Sequence, residues 1–152
     1  MSKLSEIGLI INNDILITAL MGWLVAQVLK VVLVCITHQK LDFTRLVGSG
    51  GMPSSHSSIT MSLTMSVGFV HGFDSAVFAI CMILSFVVMY DASGVRRSAG
   101  QMAVVLNKMV EEWEHGTFDN TDKKLKELLG HTPLEVFAGA ILGILIAVIR
   151  FA

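Results

Sequence analysis

The sequence predicts an all-α fold, a polytopic membrane helical bundle of about four transmembrane helices with one further amphipathic helix. Three observations carry that expectation. Hydrophobic residues fill 53% of the 152 positions and mean hydropathy is +0.71. Charged residues make up only 15%, against about 25% in soluble domains. Apolar runs long enough for a bilayer core of about 30 Å recur along the chain, each opened by helix-starting residues. The net charge of −1, with no basic-aromatic patch, gives no reason to expect nucleic-acid binding. Cys35 and Cys81 both sit inside apolar runs and read as small core residues, with no disulfide framework or zinc site. The whole chain, 1–152, reads as a single integral-membrane domain.

Met1 to Asp14 is a mixed lead-in whose apolar patch, Ile7–Ile11, suits a membrane surface. No cleavable signal is expected, because this polar start runs into a full-length span without a small-residue cleavage pattern. The first span is Ile15–Ile36, long enough to cross at about 1.5 Å per residue. Gln27 and Lys30 interrupt it, three apart and so on one helical face. A lysine there either snorkels to the headgroups or marks function, since an intramembrane charge is costly unless paired or wetted. A polar loop from His38 to Met52 follows, with Lys40, Asp42 and Arg45.

The second span, Pro53 to His71, carries Ser57, Ser58, Thr60, Ser62, Thr64 and Ser66. Such hydroxyls suit close packing and hydrogen bonds between helices. It opens with Gly50-Gly51-Met52-Pro53-Ser54-Ser55-His56: proline fits a first turn, serines cap it, and His56 projects at the end that attracts anions. A turn at Gly72-Phe73-Asp74 leads to a short third span, Ser75–Tyr90. Asp91-Ala92-Ser93-Gly94-Val95-Arg96-Arg97 ends it, and the arginine pair is either an orienting flank or part of a site.

From Ala99 an apolar stripe of Met102, Ala103, Leu106, Met109, Val110 and Trp113 lies opposite Gln101, Asn107, Lys108, Glu111 and Glu112. This predicts an amphipathic cytoplasmic or interfacial helix, its methionines in the core. Residues His115 to Lys126 form a charged linker, with Asp119 or Thr121 able to cap a short helix through Leu129. Gly130-His131-Thr132-Pro133-Leu134-Glu135 repeats the opening logic at the start of the last span, Pro133–Ala152. Within it Gly139 and Gly143 have the GxxxG spacing of a helix-packing seam. Four spans place the loops 37–52 and 91–132 on one side, with Lys40, Arg45, Arg96, Arg97, Lys108, Lys123, Lys124 and Lys126; the other side has Lys3 and Arg150. The loaded side is therefore expected in the cytoplasm. His56, His131, Lys30 and the arginine pair all converge there.

GGMPSSHSS, DASGVRR and GHTPLEVFAG resemble the three signature blocks of the divergent branch of the phosphatidic acid phosphatase type 2 superfamily, related to acid phosphatases and vanadium haloperoxidases. The resemblance runs from Lys30 to Gly143. Set against the superfamily's KxxxxxxRP, PSGH and SRxxxxxHxxxD, Pro53-Ser54-Ser55-His56 matches the second motif with Ser55 for glycine. His131 and Glu135 match HxxxD with Glu for Asp. Lys30 matches the first lysine, whereas Thr37 and Leu125 stand where the arginines would. Arg96 or Arg97 could supply that charge from farther away.

The resemblance implies a membrane phosphatase acting on a lipid phosphate monoester or diphosphate. His131 would attack phosphorus and form a phosphohistidine, and Glu135, four residues on and so on the same helical face, would hold the imidazole. His56 would protonate the leaving alkoxide. Lys30, Arg96, Arg97 and the N–H groups near Ser54 and Ser55 would meet the phosphate oxygens. No metal or other cofactor is needed in this scheme. The implied setting is a bacterial inner membrane, with membrane lipids around the protein and the active-site face cytoplasmic. Superfamily members usually have six spans, so four would be a minimal core open to completion as a homodimer through Gly139 and Gly143. A non-hydrolytic lipid or anion transporter, with the hydroxyl-rich second span as its path, and a catalytically silent scaffold are the other readings.

Overall fold

The computed structural model describes residues 8–38, 51–114 and 130–152. A short helical segment at 8–11 exposes Leu9, Ile10 and Ile11. Five longer helices follow: α1 (Asp14–His38), α2 (Ser55–His71), α3 (Ala76–Ser93), α4 (Val95–Glu114) and α5 (Pro133–Phe151). No strand occurs among the described residues. The short helix expected through Leu129, and the loop charges Lys40 and Arg45, fall outside them.

The starts of α1, α2, α3 and α5 each carry a side-chain cap, which satisfies an amide that the helix itself cannot. The Asn13 side chain accepts the Leu16 N–H at 3.0 Å. Ser54 caps α2 by accepting from Ser57, and Ser75 caps α3 by accepting from Phe78 at 3.2 Å. Thr132 and Glu135 form a reciprocal capping box at α5, with Pro133 in the first turn.

The helix α2 is the hub, packed against α1, α3 and α5. Its Ser57, Ser58, Ser62, Thr64 and Ser66 are fully enclosed. Several of these hydroxyls bond to the backbone of a neighbour. Ser58 Oγ donates to Gly22 O of α1 at 2.8 Å, Ser62 Oγ to Gly143 O of α5 at 3.1 Å, and Thr64 Oγ1 to Cys81 O of α3 at 3.1 Å. Such approach needs bare backbone on the facing helix. A Cβ on Gly139 would run into the Ser54 carbonyl, and one on Gly143 into the Ser58 carbonyl. The GxxxG seam is therefore occupied inside one chain, and a homodimer would have to use another face.

Large apolar side chains point the other way. Trp23, Leu24, Phe86, Leu145 and Ile149 are exposed, while the apolar interior is Ala19, Ala26, Met61, Val67, Ala92 and Ala147. Small and hydroxylic inside with large apolar groups outside is how helices pack in lipid. Among the described residues, three stretches are long and apolar enough to cross a membrane: Asp14–Ile36, Ala76–Met109 running from α3 into α4, and Pro133–Phe151. The fourth helix, α2, has 17 residues and is sheathed by the others, so hydroxyls along it meet protein rather than lipid.

The helix α4 follows α3 directly after Gly94. Its amphipathic pattern is as expected, but its methionines are not core residues: Met102 and Met109 are exposed together with Val105 and Leu106, whereas Asn107 is buried. Amphipathic periodicity defines two faces without saying which one the protein covers, and beside a membrane the apolar face has a second apolar solvent available.

Candidate active site

Two backbone hydrogen bonds bring the helix ends together. Ser54 N–H donates to Glu135 O at 2.9 Å, joining the start of α2 to the first turn of α5. His131 N–H donates to Ala92 O at 3.0 Å, joining the approach to α5 to the end of α3. At this junction His131 is 2% exposed, and its Nδ1 lies 3.0 Å from Glu135 Oε2. A carboxylate opposite Nδ1 accepts from it, which in the neutral imidazole leaves the lone pair on Nε2.

The His131–Glu135 pairing has a different local cause from a shared helical face. His131 precedes the helix, with Thr132 as the cap and Glu135 at the third helical position. Glu135 reaches back over the helix end, where its Oε2 also accepts the Thr132 N–H at 3.2 Å. The capping box thus fixes the carboxylate, and the carboxylate fixes the imidazole.

Across the junction, His56 stands in the first turn of α2. Its ring centroid is 6.0 Å from that of His131, with the planes at 67°. The two rings are therefore close neighbours across the junction. Lys30 of α1 is 3% exposed and turns inward. Its Nζ donates to Gln27 Oε1 at 3.0 Å and to Ser55 Oγ at 3.2 Å. The lysine head therefore turns into the protein and does not snorkel to the headgroups. Ser55 connects it to the turn that carries His56.

Ser54 has a positioning task. Its N–H is committed to Glu135 and its Oγ to the Ser57 N–H at 3.4 Å. Arg96 and Arg97 lie in the first turn of α4, at the end of α3 that carries Ala92; their side chains lie outside the described residues. One further participant escaped the sequence reading: the Ala92 carbonyl, which has no side-chain signature that could have announced it.

A buried imidazole oriented by a carboxylate, a second imidazole opposite, and a lysine inside the membrane span form a set able to carry out nucleophilic and acid–base chemistry on an anion. Comparison with known proteins agrees with the family that the motifs resemble. Residues 11–146 match the family described as the divergent PAP2 family. The chain is 41% identical over 150 residues to "Uncharacterized membrane protein YuiD" of Bacillus subtilis (strain 168), covering 92% of this chain and 95% of that one. No solved structure matches it. With these similarities and three helices long and apolar enough to cross a bilayer, the chain is an integral membrane protein that belongs to the divergent PAP2 family.

Proposed function

We propose that this protein is a phosphatase that hydrolyses a lipid phosphate monoester or diphosphate through a phosphohistidine. The observation that carries the reading is the pairing of buried His131 with Glu135, 3.0 Å apart, with the His131 and His56 ring centroids 6.0 Å apart. In the first step the lone pair on His131 Nε2 forms a bond to phosphorus as the bond from phosphorus to the lipid oxygen breaks. Protonated His56 gives its proton to that oxygen, and Glu135 balances the positive charge gained by the ring. In the second step neutral His56 takes a proton from water as the water oxygen bonds to phosphorus. The phosphorus–nitrogen bond then breaks, phosphate leaves, and both histidines return to their starting states. Lys30, with Arg96 or Arg97, meets the charge on the remaining phosphate oxygens.

The transport alternative draws less support. Ser58 and Ser62 of α2 give their hydrogens to backbone carbonyls of α1 and α5, which describes an adhesive rather than a conduit. The proposed setting is a bacterial inner membrane with the site facing the cytoplasm.

Phosphate release by the purified full chain from phosphatidate and from a prenyl diphosphate tests the reading. His131→Ala should abolish both release and the acid-labile phosphoenzyme, because no other imidazole occupies the attacking position. His56→Ala should still form phosphoenzyme from an aryl phosphate, whose leaving group needs little protonation, while losing about 10²–10⁴-fold on alkyl phosphates. Near-normal release by His131→Ala would overturn the assignment.

A further inference from the structure

We propose that the apolar groove between α3 and α5 holds the hydrocarbon chain of the lipid whose phosphate group reaches His131. This assignment rests on the hydrolytic reading of the same junction and adds where the rest of the substrate lies. The groove has a volume of about 750 Å³, within the roughly 300–1,000 Å³ of small-molecule sites.

No site side chain lines the groove, but its upper end adjoins the site along the chain. Lining residue Pro133 follows His131 and Thr132, Val136 follows Glu135, and Ser93 follows Ala92, whose carbonyl holds the His131 N–H. From there the α5 wall descends from Pro133 to Ala140, about 10 Å along the helix axis. The floor is Met61 of α2, and the outer rims are Phe86 of α3 and Phe137 of α5, both well exposed.

The wall offers nothing to a charged ligand. Its one hydroxyl besides the Tyr90 phenol is that of Ser93, which donates to Met89 O and Tyr90 O of its own helix. The lining residues include no charged side chain. A methylene chain satisfies such a surface, and a phosphate does not. Because α3 and α5 both present apolar outer faces and the groove lies between them, a chain can enter sideways from the bilayer while its headgroup stays at the helix ends. An apolar groove beside a polar junction suits an amphiphile with a terminal phosphate.

The test compares dioleoyl phosphatidate with p-nitrophenyl phosphate on the purified full chain in lipid nanodiscs. Ala140→Trp fills the groove below the site. The ratio of kcat/KM for the lipid to kcat/KM for the aryl phosphate should fall about tenfold or more, the scale on which apolar pockets discriminate. Ala140→Leu should lower it less. An unchanged ratio in both variants overturns the groove assignment.

A second measurement needs no variant. A phosphatidate carrying a diazirine midway along one chain should label peptides 86–93 and 133–140 of the wild-type protein. Excess dioleoyl phosphatidate should suppress that labelling, and dioleoyl phosphatidylcholine should not. Equal labelling of α1, or equal suppression by both lipids, overturns the assignment. If the wild-type chain releases no phosphate from either substrate, the hydrolytic reading fails alone, and the labelling still decides whether a lipid phosphate occupies the groove.

Discussion

The carboxylate of Glu135 does two things at one oxygen: it completes the α5 capping box and accepts the His131 Nδ1 hydrogen. Glu135→Gln separates them. Glutamine can close a capping box as glutamate does, so the fold should be retained, with the midpoint of thermal unfolding close to that of the parent chain. The negative charge opposite the imidazolium is lost, and turnover should drop by about 10²–10⁴-fold, the scale seen when an orienting carboxylate becomes an amide. An active Glu135→Gln would mean that the carboxylate is there only for the helix start. The pairing of His131 with Glu135 was legible in the sequence as two residues four apart. Its cause was not, because spacing alone does not tell a helical residue from one just before the cap. Lys30 was legible only as an anomaly. Snorkelling and burial differ by where Ser55 lies, which is a fact of tertiary packing. Replacing Lys30 and Gln27 together by Met and Leu removes a buried cation that costs about 2.5–3.5 kcal/mol in a membrane span. That variant should unfold at the same temperature or higher yet release phosphate at least about tenfold more slowly, since a fixed cation facing the phosphate is gone.

At the scale of the elements, the contact of α5 with α2 rests on the absence of side chains at Gly139 and Gly143 more than on any single hydrogen bond. A methyl group at either position meets a backbone carbonyl of α2, and backbone cannot rotate aside as a side chain can. Gly139→Ala and Gly143→Ala should each destabilise the bundle by about 1–3 kcal/mol, the usual cost of overpacking. Ser62→Ala removes only the bond to Gly143 O, about 0.6 kcal/mol for hydrogen bonds between membrane helices. Gly8→Ala, whose added methyl meets nothing within 4 Å, is the control and should have no effect. Thermal unfolding in one detergent orders the four variants; equal behaviour of Gly143→Ala and Ser62→Ala would deny the role given to close backbone contact. Helix positions were well marked in the sequence, because caps at Ser54, Ser75 and Thr132 are local signals. The outward apolar face of α4 was not, since it depends on what surrounds the helix.

The alternation of the helices sets the geometry of the whole molecule. The C-terminal half of α1, the start of α2, the end of α3 and the start of α5 meet at the site, as the Lys30–Ser55 and His131–Ala92 bonds record. At the far end Arg150 Nη2 lies 2.8 Å from Asp14 Oδ1, joining the last turn of α5 to the first of α1. This up-and-down order was deducible from the number of apolar runs alone, and it is why two histidines 75 positions apart in sequence (131 − 56) share one end. It also turns the distribution of basic residues into an orientation. By the sequence reading, the loops with Lys40, Arg45, Lys123, Lys124 and Lys126 fall on the same side as Arg96, Arg97 and Lys108, and the opposite side has Lys3 and Arg150; of these, Arg150 is paired with Asp14 at the end away from the site. Short loops rich in lysine and arginine stay in the cytoplasm, and setting aside both candidate site arginines leaves the bias in place. A reporter active only outside the cytoplasm should therefore work when fused after Ala152 and stay silent when inserted between positions 116 and 122. The reverse pattern would turn the site outward and overturn the cytoplasmic setting, while leaving the junction of His131, Glu135, His56 and Lys30 as it stands.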